Sequence, residues 1–130
     1  INDNGNLLDA AGIGAIAALK NAKIPKYDEE KGKAVYGELT NTKIPLRKDI
    51  PLSITAHRIG GKWIIDPTRQ EEDISEARVS IGSHDGIISS VQKGDIGSIR
   101  INEFEEVLDL VEKSHKQLQS KIEKFLKWEK

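Results

Sequence analysis

The stretch Lys62–Ile81, KWIIDPTRQEEDISEARVSI, constrains the fold more than any other part of the sequence. Trp63, Ile64 and Ile65 form a short run of strand formers. Asp66-Pro67 stops it, because proline has no N–H for a ladder. Ala77, Val79 and Ile81 then alternate with Arg78 and Ser80, the period of a half-buried strand. Between the strands lie Asp66, Glu71, Glu72, Asp73 and Glu76. Carboxylates gathered beyond a strand end are candidates for metal binding or acid–base work. From spacing alone, a solvated acidic loop is the favoured reading. Arg69 and Arg78 lie close enough in sequence to offset part of that charge. Arg78, a lone strand arginine beside five acids, is expected to pair with Glu72 or Glu76.

The flanking pattern extends this unit into a sheet. Leu52, Ile54 and Ala56 alternate with Ser53, Thr55 and His57, and Gly60-Gly61 supplies a tight turn back into Trp63. Ala77 to Val91 makes a second hairpin, turned by Ser83-His84-Asp85-Gly86. His57 has no second His or Cys at ligand spacing and reads as a structural histidine.

A helix is expected on each side of the sheet segment. Asn6 is placed to cap the first, with Asp9 as its capping-box acid. Leu7–Asn21 is apolar nearly all round, the mark of a buried helix. Gly12 and Gly14 within it suggest close approach by another element. Asn102 to about Glu129 reads as one long helix, capped by Asn102 with Glu105. Its stripe is Phe104, Leu108, Val111, His115, Leu118, Ile122 and Phe125. Residues 26–51 read as a polar loop, with a turn at Asp28–Gly32 and a short strand at Lys33–Tyr36. The order helix, two hairpins, helix predicts an α+β fold: an antiparallel sheet with two helices on one face.

The 130 residues suit one domain, and the net charge of −1 gives no global basic field. With no cysteine, disulfides and thiolate metal sites are excluded. No apolar run reaches the ~20 residues that span a bilayer, so no membrane partner is expected. The chain has no methionine, so an upstream segment is expected before Ile1.

GNLLDAAGIGAIAALKNAKIP, DPTRQEEDISEARVSIG and SSVQKGD together resemble the C-terminal half of an RNase PH-type domain, of ribosomal-protein-S5-like fold. The form GNLLDAA, followed by DPT and EE, is similar to the non-catalytic RNase PH-like subunits of the archaeal exosome ring. The resemblance implies that 1–130 is the C-terminal part of such a domain. Catalytic members degrade RNA from its 3′ end by phosphorolysis. They carry a Gly-Ser/Thr-Arg step at the start of this helix, whose arginine binds phosphate. Here the step reads Gly5-Asn6-Leu7, and Asp9 adds negative charge nearby. Catalytic members also carry two aspartates six residues apart. An ungapped register puts Glu72 and Arg78 there; a one-residue slip puts Asp73 and Val79. Either register breaks the pair, and leucine cannot hold a phosphate.

The resemblance therefore implies a non-catalytic, cytoplasmic subunit with degenerate positions Leu7, Glu72 and Arg78 and no metal of its own. It would alternate with a catalytic RNase PH-like paralogue in a six-membered ring, as a trimer of heterodimers. The ring would use inorganic phosphate and Mg2+, bind RNA and meet an RNA-binding cap subunit. Arg47, Lys48, Arg69 and Arg78 are the candidates for contacting RNA or partner. Two other readings stay open: an active phosphorolytic nuclease using Glu72, Asp73 and Glu76, and a coiled-coil interaction module built on the last helix.

Overall fold

Two tight turns organise the main sheet. Gly60 and Gly61 both have positive φ (56° and 75°), as do Asp85 and Gly86 (46° and 75°). Paired positive φ values match the twist of antiparallel strands. In a computed structural model, which describes residues 2–127, these turns join β3 (Leu52–Ile59) to β4 (Lys62–Ile65) and β5 (Ala77–His84) to β6 (Ile87–Gly94). The preceding elements are α1 (Leu7–Asn21), β1 (Lys23–Asp28) and β2 (Lys33–Lys43). A short α2 (Arg69–Asp73) lies in the acidic loop, and α3 (Ile101–Leu126) follows the sheet. The sheet order is β4-β3-β5-β6.

Register decides which residues face inward. Ile54 pairs with Ile81, Ala56 with Val79, and Arg58 with Ala77. Alternation puts these on one face. α3 covers that face with Val107 and Val111, and Trp63 joins the same core. Full burial of each such side chain contributes about 1.5–3 kcal/mol. A second, smaller cluster joins Ile50, Leu52 and Ile122, with Ile13 and Ile16 of α1 packed against it. Both helices thus pack on the expected side, and the α+β architecture stands. Val107, Val111, His115 and Ile122 are the buried residues of α3. Its stripe meets the sheet first and α1 only at its C-terminal end, so it builds a globular core rather than a coiled-coil seam. Phe125, expected in the stripe, is 85% exposed, and Leu126 packs in its place. Trp128 and Glu129, the expected end of the helix, lie outside the described residues.

Four expectations need correction. α3 is capped by Arg100, not Asn102: the Arg100 N–H donates to Glu103 Oε2 at 2.7 Å, so Asn102 and Glu105 form no capping box. α1 is not buried: Asp9 is its one buried residue, while Leu7, Leu8 and Leu19 are about half exposed. Its inner side meets β3 and the end of α3; its outer side meets nothing in this chain. A Cβ added at Gly12 or Gly14 would touch no atom within 4 Å, so the expected close approach is missing as well. Finally, residues 26–51 are not mostly loop. β1 and β2 pair antiparallel as a separate two-stranded sheet, turned where Asp28 Oδ1 accepts from the Lys31 N–H at 3.0 Å. Register shifts within β2 hid this hairpin from a period-two reading.

Candidate functional site

The acidic loop is built as a set of backbone acceptors. Thr68 caps α2, its hydroxyl accepting from the Glu71 N–H while Glu71 Oε2 accepts from the Thr68 N–H at 2.7 Å. This capping box was visible as Thr68-x-x-Glu71 and was missed. Those hydrogen bonds hold the Glu71 carboxyl below the usual range. Glu72 Oε1 accepts the Asn6 N–H at 2.8 Å, and Asp66 Oδ1 accepts from the Asn6 side-chain amide at 3.0 Å. Asp73 pairs with Arg69 at 3.3 Å. Glu76 accepts from Arg58 Nε at 3.1 Å and from the Gly60 N–H at 2.9 Å. All five carboxylates therefore hold the fold. Among the described residues no three potential ligands are grouped to hold a metal.

The start of α1 is pinned to this loop. Gly5 has φ 102° and an added Cβ would run into the Pro67 carbonyl, so glycine is required. The Arg69 N–H donates to the Asn4 carbonyl at 2.9 Å. Asn6 is the N-cap, as expected, but with left-handed backbone (φ 52°) and no side-chain cap bond. Asp9 does not complete a capping box with it. Instead its carboxylate reaches β3, taking the Thr55 N–H and the Thr55 hydroxyl, each at 2.8 Å. The reason is the shortness of β4, which leaves the Thr55 amide beyond the last ladder pair at Ala56–Ile65. Burial pushes the Asp9 carboxyl up, against the lowering effect of the Thr55 hydrogen bonds. Thr55 spends its proton on Asp9, so its oxygen, 2.9 Å from the Ser80 hydroxyl, accepts from Ser80.

His57 and Arg78 lie opposite each other on the polar face of the sheet. His57 is 4% exposed. Its Nδ1 is 3.1 Å from the Ser75 hydroxyl, which itself donates to the Ala77 carbonyl. Nδ1 therefore carries the ring proton. Burial pulls the His57 pKa below its ordinary value, with Glu72 opposing and Arg78 reinforcing the shift. Arg78 does not make the expected ion pair: among the described residues no carboxylate lies within 4.0 Å of it, because Glu72 and Glu76 already serve Asn6 and Arg58. Its guanidinium instead lies over Gly94, where an added Cβ would come 2.5 Å from Nε.

Leu7, Glu72 and Arg78 are placed as follows. Leu7 follows the amide that Glu72 holds, and Glu72 and Arg78 both act on His57. The basic candidates do not converge. Arg47, paired with Asp49 at 3.1 Å, and Lys48 precede the N-terminal end of β3. Arg78 lies opposite His57, near the other end of that strand, and Arg69 pairs with Asp3 and Asp73. Arg58 was missed altogether. It binds Glu76 and Glu103, donates to the Ser98 carbonyl at 3.0 Å, and stacks 5.8 Å from the Trp63 ring centre. Its inward strand position was the signal.

Residues 49–114 match the 3′ exoribonuclease family, domain 2, and the chain belongs to that family. This is the RNase PH-like class that the sheet and helices define. Among curated proteins the chain is 39% identical over 125 residues to the exosome complex component Rrp42 of Thermococcus onnurineus, covering 94% of this chain and 45% of that protein. It is 43% identical over 120 residues to Rrp42 of Pyrococcus furiosus, covering 89% and 41%. Among solved structures, a chain of the Archaeoglobus fulgidus exosome with RNA bound to the active site superposes with a TM-score of 0.76 at 31% identity, over 92% of this chain and 44% of that one. An archaeal exosome core chain gives 0.75 at 31% identity. The chain spans less than half the length of each of these relatives.

Proposed function

We propose that the protein is a non-catalytic ring subunit of an exosome that degrades RNA 3′ to 5′ by phosphorolysis. One observation carries this reading: every carboxylate of the loop that would do chemistry is committed to holding backbone or an arginine. Leu7 and Arg78 stand where the RNase PH pattern has a phosphate-binding arginine and an aspartate. Arginine can serve neither as metal ligand nor as general base. The subunit's work is then to shape the neighbouring active site of a catalytic paralogue in a trimer of heterodimers. It also helps hold RNA below an RNA-binding cap subunit.

Phosphate and Mg2+ belong to the paralogue's site. The exposed outer side of α1 supports a longer protein, in which a preceding half-domain covers Leu8, Ala11, Gly12 and Ala15. Among the described residues no helix is long and apolar enough to cross a membrane; a cytoplasmic ring fits the proposal.

The test is the pure protein with phosphate, Mg2+ and poly(A). No nucleoside diphosphate should appear. Phosphate-dependent release by the partner-free protein would favour the active nuclease instead. Light scattering with and without the paralogue should show assembly only in the mixture.

A further inference from the structure

The β1–β2 hairpin takes no part in the site above and is unexplained by the core. Both its faces are exposed along almost its whole length. An isolated two-stranded hairpin is marginal in water. Its long exposure suggests a contact made elsewhere.

Alternation along β1 puts Lys23, Pro25 and Tyr27 on one face. The residues opposite them on β2 are Lys43, Leu39 and Ala34. Two facing lysines thus begin the hairpin, and across register shifts in β2 Pro25 faces Leu39 and Tyr27 faces Ala34. Tyr27 is 60% and Leu39 65% exposed. Like charges directly opposite each other across a sheet are unfavourable. Among the described residues neither Lys23 nor Lys43 has a carboxylate within 4.0 Å. Lys26, on the other face of β1, takes Glu38 at 3.0 Å, and Lys31 takes Asp28 in the turn. The hairpin's acids are thus neutralised on the back or confined to the tip at Glu29 and Glu30. The strands themselves carry Lys23, Lys26, Lys33 and Lys43 against Asp28 and Glu38, in a chain whose net charge is −1.

We propose that this face binds single-stranded RNA, with Lys23 and Lys43 on the phosphates and Tyr27 stacking a base beside Pro25 and Leu39. Facing lysines with no acid partner suit a phosphate chain, and an exposed tyrosine next to them suits a base. Tyr36, fully exposed on β2, offers a second ring. The inference deepens the ring reading by placing the RNA contact on the hairpin rather than on Arg47, Lys48, Arg69 or Arg78.

The test is anisotropy of a labelled 20-nucleotide poly(A) RNA titrated with the protein over a range of salt. Wild type should bind. Lys23→Gln with Lys43→Gln should flatten the log–log salt slope by about 1.4, at ~0.7 per phosphate contact on a single strand. Tyr27→Ala should weaken binding about 5- to 150-fold. Lys113→Gln with Lys121→Gln on α3 is the matched control and should change little. The hairpin residues lie outside both cores, so circular dichroism of all variants should match wild type.

Equal binding by the hairpin variants, or no binding by wild type, overturns the proposal. So do hairpin variants that bind RNA normally but fail to assemble with the paralogue, because the face would then belong to a protein partner. Assembly is followed in parallel by light scattering, so failure of the ring reading shows separately.

Discussion

The buried carboxylate of Asp9 gives the sharpest stability prediction. Asp9→Ala removes the acceptor of the Thr55 N–H. That amide is buried and beyond the reach of β4, so it is left orphaned at about 1–3 kcal/mol. The Thr55 hydroxyl loses less, since Ser80 Oγ at 2.9 Å remains a partner. Removing a buried charge gives some of this back, because burial already disfavours the ionised form. The net cost should be about 2 kcal/mol, or about 1 M in urea midpoint for a chain this size. Asp9→Asn keeps an acceptor and should cost under about 1 kcal/mol.

The pH dependence has a definite sign. The folded pKa of Asp9 lies above the ordinary aspartate value, so the native state binds the proton more tightly than the unfolded chain. Its contribution is fully present below about 3.8 and is lost as pH rises through the raised value. Wild type should therefore gain on Asp9→Asn as pH falls from 7 towards 4. Urea melts of wild type, Asn and Ala variants at several pH values measure all of this. An Ala variant within about 0.5 kcal/mol of wild type would refute the reasoning, as would a gap to Asn that moves the other way.

Arg58→Met keeps much of the packing against Trp63 but strands Glu76, Glu103 and the Ser98 carbonyl; it should cost about 1–3 kcal/mol by urea unfolding. Gly5→Ala must find room for a methyl against the Pro67 carbonyl at φ 102°, and should cost at least about 1–3 kcal/mol, read from thermal melts. His57 stays neutral in the fold with a depressed pKa, so the unfolded chain takes up its proton first and stability falls as pH drops below about 6.5. His57→Gln should flatten that limb, and an NMR titration should place the imidazole below its ordinary pKa.

The sheet was legible because its strands obey a strict period of two and its turns are Gly-Gly and Asp-Gly. Leu52, Ile54, Ala56, Ala77, Val79 and Ile81 announce their inward face without any knowledge of neighbours. The β1–β2 hairpin was not legible. Its strands bury nothing, so no alternation was imposed on them, and its register shifts broke the little pattern present. α1 misled for the opposite reason. Its composition is that of a buried helix, but burial depends on what lies outside, and this chain supplies only an inner wall. At the site, the residues aligned with the family motif could be named from the sequence. The partners of the acids could not. Glu72 meets Asn6, 66 residues away, and Asp9 meets Thr55, 46 away. Such contacts follow from the packing of α1 on β3, not from spacing.

Those partners also bear on the proposed non-catalytic reading of the loop. In a catalytic site the acids must be available to a metal or a proton. Here Glu72 holds the first amide of α1, at a residue already in left-handed backbone, and Glu71 holds the amide that starts α2. Shortening Glu72 to aspartate would draw its oxygen back from Asn6 and loosen the α1 start that carries position 7. Replacing Arg78 with aspartate would put a carboxylate opposite His57, where the same-sign charges of Glu72 and Asp95 already act. The Glu72 step therefore removes a contact that now positions residue 7. A phosphate-binding arginine at position 7 would be presented by a helix end less firmly held than it is today. On the proposed non-catalytic reading, the hydrogen bonds that hold the starts of α1 and α2 are the ones that occupy these acids.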